Sequence, residues 1–281
     1  MKVANINHHA CLVLSEGRAC RISEESGGRF GSSMQDIFSD WSAFCSWAET
    51  HQPVDVFSFT EDELETVSPA PGQIFAVGLN YDEHTRETGL APDTEFPPVF
   101  PKWASSLAKP FGTIPVPAAD SHIDWEVELV VIIGKEGQNI SRDAAMQHVA
   151  GFSIGQDVSD RKVQFAGNNA QWGLGKSFAG FSPVGPWLVT PDEVQSAAAI
   201  TCEVNGVIKQ AGTLDQMIFS VQDIIAILSE IVTLKPGDII FTGTPSGVGF
   251  SRTPVEYLQP DDVVVSSIEG IGSIRQHVVA R

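Results

Sequence analysis

Two acidic residues, Glu126 and Glu128, begin a strongly apolar stretch of the chain. Residues two apart on a β-strand share a face, so both carboxylates are predicted to point the same way. The apolar run at 130–134 that follows is typical of a strand buried on both faces. Carboxylates on a buried face must be neutralised or must bind a cation, whereas carboxylates on a solvated edge strand need neither. Both interpretations remain open at this point.

A third carboxylate, Asp157, ends the next apolar stretch, at 149–156. An aspartate in that place also suits a simple turn or helix cap. Three carboxylates without histidine or cysteine partners are the donor set that a hard divalent ion such as Mg²⁺ or Mn²⁺ prefers. Water completes the coordination of such an ion, and a chelating oxyanion substrate can replace that water.

His84 and Glu87 lie three residues apart in a short polar segment predicted to be helical, with Asn80 as its cap. That spacing puts both side chains on one helical face. A glutamate beside a histidine orients the ring and raises its basicity, which suits a general base that activates water. An ordinary surface ion pair is the alternative. The glycine and proline that follow, Gly89 and Pro92, predict a mobile lid.

Polar groups that could hold an anionic substrate follow Asp157. Arg161 suits bidentate carboxylate binding, and Gln164 can donate to an oxyanion. Lys176 lies in a glycine-rich turn, where a surface lysine is the alternative. The glycine-rich segment around Thr244 lets the backbone approach a ligand closely or simply forms a tight turn. It lacks the lysine of a phosphate-binding loop.

The elements that must position these residues are mostly strands. The pattern predicts a strand-rich α+β protein, with a small N-terminal α/β domain at 1–68 and a catalytic domain at 69–281. Helices are predicted at 34–48 and 221–232, with Ser33 and Ser220 as caps, and Asn205-Gly206 predicts a hairpin turn. Strands are predicted at 3–7, 10–15, 74–79, 126–134, 150–158, 187–190, 199–204, 238–243, 263–268 and 272–279.

Composition limits the classes of partner. The chain has 281 residues and a formal net charge of −18, which argues against nucleic-acid binding because phosphate contacts need clustered Lys and Arg. No apolar run is long enough to cross a bilayer, so we expect a cytoplasmic protein without a membrane partner. The four cysteines show no paired spacing, which favours buried thiols over a disulfide or zinc framework.

Taken together and in order, these segments resemble the fumarylacetoacetate hydrolase family over about residues 72–270. The resemblance rests on the motifs GLNYDEHTRE, DWEVEL, GQDVSDRKVQ and GKSF, on the stretch from VNGVIKQAG to FTGTPSGVG, and on their spacing. It implies a mixed β-roll behind the small N-terminal domain. It also implies a homodimer.

The resemblance implies a role for each matching residue. Glu126, Glu128 and Asp157 match the family's ligands for Mg²⁺ or Mn²⁺, and His84 and Glu87 match its water-activating pair on the lid. The remaining matches are Lys176, counted here as catalytic, and the substrate-binding group Arg161, Gln164, Thr244 and Tyr81.

Two positions depart from the family pattern. Lys162 and Ala179 stand where many members have aspartate, which we expect to affect substrate choice or the order of surrounding residues.

The activity implied is metal-dependent hydrolysis of a C–C bond in a small anionic keto acid. The substrate would be a 2,4-dioxo acid or acylpyruvate, such as maleylpyruvate, fumarylpyruvate or a diketo-deoxy sugar acid, split to pyruvate and a carboxylic acid. The alternative is an oxaloacetate decarboxylase or keto–enol isomerase that uses the same site and does not need the histidine–glutamate pair. A lyase for sugar-derived or ureido acids and an inactive binding protein are more remote possibilities.

Overall fold

Strands dominate the computed structural model, which describes residues 1–89 and 95–280. The strands are β1 Lys2–Ile6, β2 His9–Ser15, β3 Arg18–Arg21, β4 Val56–Ser58, β5 Leu64–Glu65, β6 Ile74–Val77, β7 Val99–Pro101, β8 Leu107–Ala108, β9 Phe111–Val116, β10 Ile123–Asp124, β11 Val127–Ile133, β12 Val149–Gln156, β13 Ser159–Asp160, β14 Ser182–Val189, β15 Ala199–Val204, β16 Val207–Thr213, β17 Ile239–Phe241, β18 Val263–Ile268 and β19 Gly272–Ala280. The α-helices are α1 Ile22–Glu25, α2 Met34–Ser39, α3 Trp41–Ala48, α4 Asp82–Thr88, α5 Arg161–Gln164, α6 Trp172–Gly175 and α7 Val221–Ile231.

Two mixed sheets organise these strands. The larger runs in the order β4-β3-β2-β1-β14-β12-β11-β17-β6-β7, with β5 against β1 and β8 against β14. The smaller runs in the order β16-β15-β18-β19-β9, and β10 pairs with β13. Most pairings are antiparallel, but β17–β6, β14–β8 and β19–β9 are parallel. The predicted strand-rich α+β class, with a mixed β architecture, is confirmed.

The central strand β11 separates two hydrophobic cores. Its residues Val127, Leu129, Val131 and Ile133 belong to a core shared with α7 and the smaller sheet. Val130 and Ile132 point into the other core, which also contains the apolar faces of α2 and α3. Because side chains alternate along a strand, Glu128 shares the face of Val130 and Ile132. Glu128 therefore lies at the N-terminal end of an otherwise apolar face of β11.

The N-terminal segment joins the same large sheet. Strand β1 pairs with β14 through the registers Lys2↔Val189 and Val3↔Leu188. The division into domains at 68/69 stays a prediction, since a shared sheet neither requires nor forbids it.

Helix predictions were right in place and approximate in extent. The segment predicted as one helix at 34–48 is two helices, because Asp40 leaves helical geometry (φ −144°, ψ 59°) and caps α3 through Ala43. Helix α7 has the predicted Ser220 cap, completed by Asp223 in a capping box. Asn205 and Gly206 both have positive φ (52° and 75°), as the predicted hairpin turn requires.

Asn80 does not cap α4, contrary to the prediction. It is fully buried, donates to the carbonyl oxygens of Phe219 (2.9 Å) and Thr242 (2.7 Å), and accepts from the Phe219 amide (2.7 Å). Its side chain thus connects the residues just before α4 to the segment that follows β17.

Two further observations bear on the composition argument. The four cysteines are free thiols, three of them buried, as predicted. In the part of the chain that the structure describes, the longest helix has 11 residues, and none is long and apolar enough to cross a membrane.

Candidate metal centre

Glu126, Glu128 and Asp157 converge at the end of β11. One carboxylate oxygen from each lies within 4.8 Å of the others, and the residues are only 5%, 2% and 1% exposed. The pairing of β11 with β12 explains the convergence, since the register Val127↔Gln156 brings Asp157 beside Glu126, whose carbonyl accepts from the Asp157 amide at 2.9 Å. The alternative of a solvated edge with alternating acids is therefore wrong.

Two lysines enclose this carboxylate cluster. Lys176 Nζ donates to Glu126 at 2.5 Å and to Asp157 at 2.6 Å. Lys102 Nζ donates to the other oxygen of Asp157 and to the Lys176 carbonyl oxygen, and both ammonium groups are almost completely buried. Burial lowers the pKa of Lys102 despite the neighbouring Asp157. At Lys176 burial acts in the same direction, but Asp157 and Glu126 outweigh it and raise the pKa.

Arg161 holds the outer side of the cluster. Its guanidinium donates to Asp124 (2.8 Å), to Glu126 (2.6 Å) and to the Gln164 side-chain oxygen (2.8 Å). Asp124 is fully buried and also accepts from the Gly249 amide at 2.7 Å. Arg161 is thus fixed by two carboxylates before any ligand arrives, and Asp124 links it to the glycine-rich segment.

The two glutamates of the cluster titrate in opposite directions. Burial tends to raise the pKa of Glu126, but Lys176 and Arg161 overcome it and hold the pKa at about 2. Burial and the like charges of Asp157 and Glu126 raise the pKa of Glu128 well above its usual range. Glu128 accepts from the Gly243 amide at 2.7 Å and forms no ion pair with any residue in the described ranges.

These residues fit a divalent cation. Glu128 is a buried carboxylate without an ion-pair partner among the described residues, and the attraction of Lys176 does not outweigh burial and the like charges of Asp157 and Glu126. The three carboxylates also offer hard oxygen atoms that lie close to one another. Such donors suit a hard ion rather than a soft one. A cation among the three carboxylates would remove the repulsion that raises the Glu128 pKa.

His84 and Glu87 form the predicted pair on α4. His84 Nδ1 lies 2.7 Å from a Glu87 carboxylate oxygen, which leaves Nε2 as the ring nitrogen able to take up a proton. The same carboxylate accepts from the Gly247 amide at 2.9 and 3.1 Å. Burial tends to raise the pKa of Glu87, but the bonds from His84 and Gly247 lower it. Hydrogen bonds from the Gly247 amide therefore fix the pair to the glycine-rich segment.

The glycine-rich segment is also held in place through the carbonyl oxygen of Gly247. The Gly247 carbonyl accepts from Trp125 Nε1 (3.1 Å) and Arg252 Nε (3.2 Å). Gly247 has φ +106°, and a Cβ there would lie 2.1 Å from the Lys209 carbonyl oxygen. Only glycine combines this conformation with this close approach.

Substitution of Gly247 by alanine is expected to lower the free energy of unfolding by more than about 3 kcal/mol, since backbone strain and a backbone clash add. Gly206→Ala is the matched control, because Gly206 also has positive φ (+75°) but has no atom within 4 Å of a Cβ. The control is expected to lose about 1 kcal/mol. Denaturant unfolding of both variants measures the difference, and equal losses would contradict the steric argument.

A small cavity of about 40 Å³ joins these groups. Its polar lining consists of His84, Glu126, Glu128, Arg161, Gln164 and Lys176, with Thr244 beside them. Its apolar lining includes Leu79, Phe100, Phe165, Trp172 and Phe250. Seven of the ten predicted site residues line this cavity. Asp157 and Glu87 do not line it but contact residues that do, through Lys176 and His84. Tyr81 is the third predicted residue outside the lining.

The hydroxyl groups of two predicted substrate-binding residues, Thr244 and Tyr81, differ in their hydrogen bonding. The Thr244 hydroxyl donates to the Val127 carbonyl (2.9 Å) and accepts from Gln210 (2.7 Å), so it braces the segment against β11. Tyr81 is 2% exposed, and its buried hydroxyl has no hydrogen-bond partner among residues 1–89 and 95–280. Burial, with Glu128 adding to it, raises the pKa of Tyr81.

The sequence analysis missed Lys102 and Asp124. Lys102 stands alone between prolyl and aromatic residues, and only its position in an apolar context signals burial. Asp124 is the first residue of the DWEVEL motif, and the alternation that places Glu126 and Glu128 on one face assigns it no role of its own. Of the two departures from the family pattern, Lys162 is exposed and pairs with Asp120, and Ala179 is exposed as well. Pro92, part of the lid prediction, lies outside the described residues.

Comparison with known proteins gives consistent matches. The family model for the fumarylacetoacetate (FAA) hydrolase C-terminal domain matches residues 73–279. The human protein named oxaloacetate tautomerase FAHD2A, mitochondrial, is 44% identical over 211 residues, which cover 74% of this chain and 67% of the relative. A crystal structure of a Mycobacterium smegmatis protein designated HpcE is 43% identical, with a TM-score of 0.94 over 100% of this chain and 99% of that one. Fumarylacetoacetate hydrolase from Exiguobacterium antarcticum is 30% identical, with a TM-score of 0.84 over 100% of both chains.

Proposed function

The chain belongs to the fumarylacetoacetate hydrolase family, and from that premise we propose that it is a divalent-metal-dependent enzyme that interconverts the keto and enol forms of oxaloacetate or a close 2-oxo acid. The observation that carries the proposal is the buried three-carboxylate cluster with two ammonium groups beside one cavity. Such a site can bind a chelating anion and stabilise negative charge that develops on its 2-oxo oxygen.

The proposed cofactor is Mg²⁺ or Mn²⁺, held by Glu126, Glu128 and Asp157. When bound, such an ion polarises the oxygen atoms of a 2-oxo acid, which makes the neighbouring C–H bond more acidic.

The chain's own groups would complete the chemistry. In tautomerisation one proton passes in net terms from C3 to the C2 oxygen, and the electrons of the C–H bond form the C2=C3 double bond. A group that donates to the oxygen recovers its proton from the one released at C3, so the reaction is balanced. Lys176 Nζ faces the cluster from the cavity wall and can donate to that oxygen. Arg161 and Gln164 are positioned to orient the substrate carboxylate. The aromatic lining excludes bulk water, which strengthens each of these interactions.

The choice of substrate rests on the relatives. The human protein with 44% identity carries the name oxaloacetate tautomerase, which supports keto–enol isomerisation ahead of hydrolysis. This reverses the order of the two activities expected from the sequence. Decarboxylation of oxaloacetate is a further possibility, and the substrate panel described below tests it by measuring CO₂ release separately.

Hydrolysis of an acylpyruvate is the second candidate, and the His84–Glu87 pair favours it. The pair lies at the cavity with a 2.7 Å contact and a fixed orientation, which is the arrangement that a general base for water requires. His84 Nε2 would take a proton from a water that attacks the distal carbonyl. The structure of a fumarylacetoacetate hydrolase with 30% identity supports this candidate.

A substrate panel separates the two candidates. Metal-stripped protein, with Mg²⁺ or Mn²⁺ restored, is assayed on oxaloacetate, acetylpyruvate, maleylpyruvate, fumarylpyruvate and a 2,4-diketo-3-deoxy sugar acid. Enol absorbance follows tautomerisation, and product acids are separated from CO₂. Metal-dependent tautomerisation of oxaloacetate supports the first candidate. Release of pyruvate and an acid, without tautomerisation, supports the second and overturns the first.

Replacement of His84 by alanine is expected to leave tautomerisation of oxaloacetate and the affinity for Mn²⁺ within about threefold of the wild type, because neither needs an activated water. Any hydrolysis of acylpyruvate by the wild type is expected to fall by about 10²–10⁴. Steady-state rates and Mn²⁺ titration measure the three quantities on one preparation. Loss of tautomerisation with intact Mn²⁺ binding would instead place His84 in the proton transfer at C3.

The remaining proposals concern partners and location. We propose a small anionic keto acid as the ligand, a homodimer as the assembly, a cytoplasmic location, and no nucleic-acid or membrane partner. The net charge of −18 supports the exclusion of nucleic acid. A divalent ion in the cluster, together with Lys176 and Arg161, would supply the local positive charge that an anionic substrate needs.

A further inference from the structure

An outer groove of about 360 Å³ lies next to the metal centre's cavity. Val99, Pro101, Trp103 and Leu174 line it, and Trp103 and Leu174 are about half exposed (48% and 53%). No described residue of its lining carries a charge, although the chain as a whole has 19% charged residues. The groove therefore suits an uncharged, apolar group.

The groove and the cavity share a wall. Phe100 and Trp172 line both spaces, and their rings meet edge to face with centroids 5.4 Å apart. On the cavity side, Lys176 Nζ lies 5.2 Å from the centre of the Phe100 ring. The groove is thus separated from the catalytic ammonium by the thickness of one aromatic pair.

The cavity is too small for a complete substrate. At about 40 Å³ it is far below the roughly 300–1,000 Å³ of cavities that enclose small-molecule ligands. Some part of the wall must therefore move when a 2-oxo acid binds.

Trp172 is the more exposed of the two aromatic residues in the shared wall, since Phe100 is buried. It begins the four-residue helix α6, and the chain before it, at 165–171, is exposed. Its ring packs over Gly78, where a Cβ would lie 2.2 Å from Trp172 Cζ3. Because Trp172 lines both spaces, a rotation of its ring would join the cavity to the groove.

We propose that the groove binds an uncharged alkyl or aryl arm at the end of the substrate remote from its 2-oxo acid group, with Trp172 turning aside to admit it. This inference rests on the proposed function, and it names the substrates that the site would take beyond oxaloacetate: acylpyruvates whose acyl group is apolar.

Binding of unreactive mimics tests the proposal without turnover. Oxamate presents the 2-oxo acid head alone, and N-phenyloxamate adds an aryl arm. On Mn²⁺-loaded wild-type protein, we expect the arm to tighten binding by roughly tenfold in a calorimetric titration. In Trp103→Ala and Leu174→Ala, both at exposed positions, the gain is expected to disappear while oxamate affinity is unchanged.

Ile208→Ala is the matched control, since Ile208 is 59% exposed on the distant β15–β16 hairpin and the variant should keep the full gain. No gain in the wild type, or a gain that persists in both groove variants, overturns the proposal. So does a change in oligomeric state in the groove variants without a change in arm affinity, which would make the groove an interface. If oxamate binds and the arm adds affinity while no substrate on the panel turns over, the proposed reaction fails and the groove assignment stands.

Discussion

Replacement of Glu128 by glutamine is expected to abolish binding of Mg²⁺ and Mn²⁺ and to stabilise the metal-free protein. Glutamine keeps the size of the side chain and the acceptor for the Gly243 amide, but it removes a buried negative charge that Asp157 and Glu126 repel more strongly than Lys176 attracts it. We expect the activity to fall by at least about 10³, as for loss of a catalytic electrostatic group. The melting temperature of the metal-free variant should rise by about 2 °C or more.

The gain in stability should depend on pH. The folded pKa of Glu128 is raised above its unfolded value, so metal-free wild-type protein loses stability as the pH rises from about 4.3 through the folded pKa. The variant lacks this loss. The difference between the two should be small near pH 4 and larger at neutral pH, as measured by thermal unfolding in chelator. An unchanged or lower melting temperature at pH 7 would contradict the assignment of Glu128 as the carboxylate whose negative charge destabilises the metal-free fold.

Replacement of Lys102 by methionine is expected to produce the second large effect. Lys102 Nζ donates to Asp157 and to the carbonyl oxygens of Lys176 and Phe181, all of them buried. Without it, Asp157 loses one of its two ammonium partners and part of its orientation. Metal affinity should fall by about 10–100-fold, as is usual when a group that orients a ligand is lost, with a parallel loss of activity. The free energy of unfolding should fall by about 3–5 kcal/mol.

Lys109→Met is the control for that substitution. Lys109 forms an ion pair with Glu65 at 2.5 Å, but its side chain is 47% exposed, so the change should alter stability by less than about 1 kcal/mol and leave Mn²⁺ affinity unaltered. Manganese titration and denaturant unfolding of the two variants provide both comparisons. Equal behaviour of the two would show that Lys102 has no part in the metal centre.

Much of the fold could be predicted from periodicity because most elements carry strong local signals. The strand at 199–204 and the turn at Asn205-Gly206 follow from alternation and from residues that accept positive φ. The break at Asp40 could not be predicted, since the apolar spacing runs through it without interruption. The pairing of β1 with β14 joins residues almost 190 positions apart, and no local pattern encodes it.

The site shows the same division between local and distant information. Glu126 and Glu128 could be placed on one face from strand alternation alone, and His84 with Glu87 from helical spacing. The contact of Asp157 with these acids depends on the register of β11 against β12, which the motif order suggested and the residues alone did not. Lys102 could not be identified from the sequence, because an isolated lysine between apolar residues belongs to no periodic pattern. Its role depends entirely on the tertiary contact with Asp157.

The most direct test of the central claim is the rate of oxaloacetate tautomerisation by metal-stripped protein as a function of added Mn²⁺. If the buried triad holds a catalytic cation, the stripped protein shows only the spontaneous rate, and activity rises to saturation with one ion per chain. The Glu128→Gln variant stays at the spontaneous rate throughout. Activity that survives stripping, or that saturates equally in the variant, would contradict the assignment of Glu126, Glu128 and Asp157 as the metal centre.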